Sequence, residues 1–201
     1  MTDCFALLDE PRRPWLDSEA LKQKFLALSA AVHPDRVHHL GEAERRAANH
    51  RYTELNAAYQ RLREPRDRLR HLLELEGGNS THDLTRVPSD IAETFFEIGQ
   101  TCREADAHLA ELAKASSPLL RAQLFARGQD CTEKLLGLQL AVNRRLQELD
   151  EELKALDAQW PTAPPVSSAI LDQLDDLFRR ISFCTRWTTQ LQERIVRFAQ
   201  F

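Results

Sequence analysis

An all-α architecture in two parts, a group of short helices followed by an antiparallel three-helix bundle, follows from three features of the chain. Leu, Ala, Arg, Glu and Gln are abundant, while Gly (6) and Tyr (2) are scarce, a usage that favours helix over strand. Apolar residues recur at three- and four-residue spacings along most of the chain, and no alternating strand pattern stands out. The interruptions fall at Pro and Gly, where helices stop.

Taken in order, Phe5, Leu7 and Leu8 form a short apolar opening closed by Pro11-Arg12-Arg13-Pro14. Asp17 is placed to cap a helix, with Glu19 in its first turn, and Leu21, Phe25, Leu28 and Val32 form its stripe. After Gly41 a second long pattern carries Ala47, Leu55, Ala58, Tyr59 and Leu62, and Pro65 opens a shorter one with Leu69, Leu72, Leu73 and Leu75. The polar run Gly77-Gly78-Asn79-Ser80-Thr81-His82-Asp83 marks a boundary. It divides the chain into a first domain over 1–76, a linker over 77–87 and a second domain over 88–201.

Pro88 suits a first helical position, and Ile91, Phe95, Ile98, Cys102, Ala105 and Leu109 follow as a stripe. Ser117-Pro118 restarts the chain into the longest pattern, which ends at Trp160-Pro161-Thr162-Ala163-Pro164-Pro165. A last helix from about Ser168 carries Leu171, Leu174, Phe178, Ile181, Trp187, Leu191, Ile195 and Phe198. Three long amphipathic patterns with two breaks imply an antiparallel bundle.

Composition narrows the function. The net charge of -4 is mild, and no Lys/Arg-rich block points to nucleic acid. Cys4, Cys102, Cys131 and Cys184 lack metal-knuckle spacing, so a reducing, cytoplasmic setting is expected rather than a disulfide framework. No apolar run reaches membrane-spanning length. No cofactor or metal is expected: His38, His39, His50, His71, His82 and His108 are read as solvated. Cys102, Cys131 and Cys184 are read as buried small hydrophobes.

The most specific stretch is His33-Pro34-Asp35, between two helical patterns. Pro disfavours helix at the residue before it, so the first helix should stop near His33. An imidazole and a carboxylate are then held on a stiff turn, as a surface for a partner. An acid–base pair at His33 and Asp35 is the enzymatic alternative, but no nucleophile, metal cluster or phosphate loop accompanies it. No catalytic residue is assigned.

With its flanks, the first domain resembles a J-domain. Phe5-x-Leu7-Leu8, Arg45-Arg46-Ala47-Ala48, and the run Leu55-Asn56-x-Ala58-Tyr59-x-x-Leu62-Arg63-x-Pro65-x-x-Arg68 are similar to the HscB family of iron–sulfur co-chaperones. So is Leu72-Leu73-x-Leu75-x-Gly77. In the second domain, Pro88-Ser89-Asp90-Ile91-Ala92-Glu93-Thr94-Phe95-Phe96-Glu97-Ile98-Gly99-Gln100 is more loosely similar to the family's bundle-opening helix.

The resemblance implies an N-terminal J-domain that stimulates ATP hydrolysis by an Hsp70-family ATPase, HscA or DnaK. It also implies a C-terminal bundle that holds an IscU-type iron–sulfur scaffold. His33, Pro34 and Asp35 would act on the Hsp70, with Lys22, Lys24 and Arg36 meeting its acidic surface. Arg66, Arg68 and Arg70 would extend that contact or stay solvated. The family's client positions fall on Ala92, Glu93, Phe96, Glu97, Gln100 and Glu104, and on Phe183, which is core or client contact. Here Ala92-Glu93 replaces a Leu-Met pair, Gly99 an Arg and Gln100 a Glu. A J-protein for a different client is therefore the alternative.

Overall fold

A computed structural model describes residues 2–37, 41–77, 87–162 and 165–200. The first helix, α1 (Cys4–Leu7), is only four residues long, and the Asp3 carboxylate holds it by accepting from the Phe5 and Ala6 N–H groups at 2.9 and 3.2 Å. Helix α2 (Ser18–Ala30) starts as expected at Asp17, whose carboxylate accepts from Ala20 N–H at 2.7 Å. A single turn, α3 (Pro34–Val37), follows, then α4 (Glu42–Arg63) and α5 (Pro65–Leu75), which has Pro65 in its first turn. Helix α4 packs against all four of the others.

Beyond 87, Pro88 precedes a 3-10 turn (Ser89–Ile91) rather than opening the helix itself. Helices α6 (Ala92–Lys114), α7 (Pro118–Asp157) and α8 (Ser168–Phe198) complete the chain. None of the helices among the described residues is long and apolar enough to cross a membrane.

Two compact units result: Met1–His82 with Glu152–Phe178, and Asp83–Glu151 with Arg179–Phe201. The first unit thus includes the end of α7 and the start of α8, which the division at 77–87 had left with the bundle. Packing and charge explain this. Leu153, Leu156, Leu174, Leu177 and Phe178 are buried. The Arg13 guanidinium pairs with the Asp157 carboxylate, which also accepts from Trp15 N–H at 3.2 Å. Lys154 lies over the Trp15 ring and Arg70 over Phe178. Most of the expected linker, and Ala163 and Pro164 in the second break, lie outside the described residues.

In the second unit, the chain directions can be read from cross-helix bonds. His108 on α6 meets the Leu124 carbonyl on α7 at 2.8 Å, while Asp90 meets Arg145 at 2.8 Å, so α6 and α7 run oppositely. Phe95 neighbours Phe183, and Asp106 pairs with Arg194, so α6 and α8 run the same way. This is the up-down-up order expected of the bundle. Its core includes Ile98, Leu109, Leu135, Val142, Cys184, Trp187 and Leu191, and each fully buried aliphatic side chain contributes about 1.5–3 kcal/mol.

Several side chains differ from expectation. His71 and His108 are buried, not solvated. The Nε2 of His71 accepts from Cys4 N–H at 3.0 Å, and its ring stacks on Phe5. Arg68 is neither solvated nor a docking group: it is 3% exposed and donates to the carbonyls of Pro14 and Leu62 at 2.8 and 2.7 Å. Cys131 is only half-buried, and Ala47 is exposed. An Arg or His can be buried at little cost when backbone partners meet it, and spacing alone does not reveal those partners.

Candidate functional site

The turn after α2 is built by its own backbone. Val32 N–H reaches Ser29 O at 3.2 Å, and the His33 carbonyl accepts from Arg36 and Val37 N–H at 2.9 and 3.3 Å. His33 thus caps α3, whose first residue is Pro34. The His33 Nδ1 accepts from Asp35 N–H at 3.3 Å and lies 3.7 Å from the Asp35 carboxylate. A nitrogen that accepts carries no proton, so in this arrangement Nε2 holds it. The ring stands edge-on to Tyr52 at 5.4 Å. The Asp35 side chain is 90% exposed and His33 43%. Tyr52, on α4, is a support the sequence did not announce, since nothing local ties it to the turn.

The three cations expected beside the turn differ from one another. Arg36 is exposed, and Lys22 is exposed 3.7 Å from Glu19, one turn earlier on α2. Lys24 instead ties α2 to the end of α1: its ammonium donates to the Asp9 carbonyl at 2.7 Å and lies 3.0 Å from the Glu10 carboxylate. Asp9 sits at φ 57°, a left-handed conformation that Asp tolerates better than most residues.

On α6, Ala92, Glu93, Phe96, Glu97, Gln100 and Glu104 are all exposed, and Gln100 donates to Glu104 at 2.9 Å. Phe183 is not part of that surface. It is 3% exposed, enclosed by Phe95 at 6.4 Å and Trp187 at 5.9 Å, with the Arg186 guanidinium 5.8 Å from its ring centre. Phe95 departs the other way. Helical spacing assigns it to the inward stripe, yet it is 45% exposed, with its ring set against Phe183 and Trp187 on α8.

Burial raises the Cys4, Cys102 and Cys131 thiols above their ordinary value and pushes Cys184 up to about 11, which removes the thiolate a nucleophile needs. Among the described residues no group of three His, Cys, Asp or Glu is placed to hold a metal ion. His38, His39 and His82 lie outside the described residues. His50 is exposed beside Glu54.

No family model matches the chain. A co-chaperone protein HscB homolog of Chromobacterium violaceum is 34% identical over 118 residues, which are 58% of this chain and 67% of the relative. The chain belongs to the HscB co-chaperone family. An HscB homolog of Azoarcus sp. is 38% identical over 87 residues, 43% of this chain and 49% of the relative. The chain thus spans between about half and two thirds of these curated relatives.

Solved HscB structures add the fold. Chaperone HscB from Vibrio cholerae superposes with a TM-score of 0.62 at 21% identity, covering 96% of both chains. The human HscB co-chaperone gives 0.59 at 19% identity, covering 97% of this chain and 81% of that one. The fold is accordingly all-α, a J-domain with a helical bundle, as the HscB resemblance implied.

Proposed function

We propose that this HscB-family chain stimulates ATP hydrolysis by an Hsp70 of the HscA or DnaK type and delivers an IscU-type scaffold to it during iron–sulfur cluster assembly. The observation that carries the reading is the turn: His33 and Asp35 are fixed to one another by a hydrogen bond and both reach solvent. Such a turn biases a two-state ATPase only if it contacts one state better than the other. Lys22 and Arg36 add positive charge nearby, which raises association rate and sets orientation more than affinity. The chain itself breaks no bond.

Single-turnover ATP hydrolysis by the Hsp70, with and without the chain, tests this. His33→Gln should cut stimulation by more than tenfold, a loss of at least about 1.4 kcal/mol, while helical content and scaffold affinity stay unchanged. Full stimulation by that variant would remove the turn from the mechanism.

A different client is the second reading, favoured by Ala92 and Glu93 standing where the family resemblance expects Leu and Met. Failure of an IscU-type scaffold to bind, with ATPase stimulation intact, would select it.

A further inference from the structure

We infer that the cleft between the end of α4 and one face of α5 binds an inorganic hydrogen phosphate ion. Arg61 and Arg70 hold its charge, the His71 Nδ1–H donates to one of its oxygens, and Asp67 and Glu74 offer acceptors to its P–OH group. The site uses none of the residues of the His33 turn or of the exposed α6 face, so it stands whether or not the partner is an Hsp70.

Helical spacing builds the cleft. Asp67, Arg70, His71 and Glu74 recur on α5 at three- and four-residue intervals, which puts them on one side of the helix. Gln60 and Arg61 close the cleft from α4, and the six side chains enclose about 310 Å³. His71 is 0% exposed. Its Nε2 accepts from Cys4 N–H at 3.0 Å, so in the neutral ring Nδ1 carries the proton. Among the described residues no group accepts from that Nδ1–H, and the Glu74 carboxylate, at 3.8 Å, is beyond hydrogen-bond length. Nε2 faces α1 and Nδ1 faces Glu74, so the unmade bond points into the cleft. A fully buried donor without an acceptor is rare in native proteins, and a bound oxyanion completes this one.

Charge sets the chemistry. The Arg61 charge is near enough to His71 to disfavour its imidazolium form, and Arg70 rests over the Phe178 ring. Neither arginine pairs with a carboxylate among the described residues. Two guanidinium groups and a neutral N–H suit a small oxyanion. Asp67 and Glu74 line the same cleft and refine the choice, because a carboxylate repels an anion that offers it no proton. Sulfate carries acceptors alone, and a phosphomonoester is mostly a dianion above about pH 6. Inorganic phosphate keeps a P–OH at neutral pH, so the mixed donor and acceptor set selects it over both.

Calorimetric titration of the full chain, in phosphate-free buffer at pH 7.5, tests the assignment with inorganic phosphate, sulfate and glycerol 3-phosphate as separate probes. Phosphate should bind at one site, with sulfate and the ester each at least tenfold weaker. Arg61→Gln should weaken phosphate tenfold or more, with helical content and thermal midpoint unchanged. Asp67→Asn with Glu74→Gln should bring the phosphate and sulfate affinities to within about threefold of each other, since both carboxylates are then neutral amides. In nitrogen-detected NMR, the His71 Nδ1 signal should move as phosphate saturates the wild type. Equal binding of sulfate or of the ester by the wild type overturns the inference. So does phosphate binding by Arg61→Gln within twofold of wild type, a selectivity that survives loss of both carboxylates, a still His71 signal, or no binding of phosphate at all.

Discussion

At the His33 turn, the groups proposed to meet a partner come from consecutive residues held by hydrogen bonds two to four positions apart. On the bundle, the part-exposed Phe95 packs against Phe183 and Trp187 on another helix. The first surface is local and needs its framework only as a platform. The second is composite, so its framework and its surface are partly the same atoms. Damage to the platform of the first should change stability and leave activity per folded molecule alone. Damage beneath the second, as in Phe183→Leu, should lower stability and loosen the Phe95 ring together.

Arg68 offers the largest test of the local half of this contrast. Arg68→Ala leaves the buried carbonyls of Pro14 and Leu62 without their donor, at a cost of about 2–4 kcal/mol. Arg68→Lys should recover little, because one ammonium cannot replace the guanidinium fork. Urea unfolding measures the loss. At a temperature where the variant stays folded, Hsp70 stimulation should match wild type. A proportional fall in stimulation would show that the turn depends on its framework after all.

An intermediate effect is expected on the bundle. Phe96→Ala with Glu97→Ala should weaken scaffold binding by about tenfold and flatten its salt dependence, while basal Hsp70 stimulation is spared. Titrations at two ionic strengths would read both. An unchanged salt slope would show that Glu97 does not meet a charge on the scaffold.

The smallest effect concerns His71, where burial, reinforced by the nearby Arg61 charge, holds the imidazole below its ordinary value of 6.5. The unfolded chain takes up this proton as pH falls through about 6.5, and the folded chain does so only at lower pH. His71 therefore supports the fold fully above that pH, and its contribution drains away as pH falls toward the folded-state value. His71→Gln, which can still accept from Cys4 N–H, should lose less stability than wild type between pH 7.5 and pH 5.5. Equal losses in paired denaturation curves would exclude His71 as a source of acid sensitivity.

Much of the molecule is legible in the sequence alone. Asp17 and Pro65 mark helix starts because caps and fixed φ act over a few residues. Pro34 ends α2 for the same kind of reason, and His33 and Asp35 stand on the turn that the tripeptide implied. The α6 face was legible as a row of exposed side chains at helical spacing, but its depth was not. Phe95 stands part-exposed and Phe183 is buried, since a spacing pattern says which way a residue points and not how far a neighbouring helix stands from it.

His71, Arg68 and Lys24 escaped for a related reason. Each is a polar residue whose partner comes from a distant segment: Cys4, Pro14 and Asp9 respectively.

Helix content, breaks and the local turn were thus decided along the chain, by propensity, capping and proline sterics that act within about one turn of helix. The partition into units was decided in three dimensions, where Arg13, Asp157 and the buried leucines of α7 and α8 attach residues 152–178 to the first unit. Which aromatic faces solvent was decided there too, because burial depends on the separation of packed helices, a quantity that no single helix carries in its own sequence.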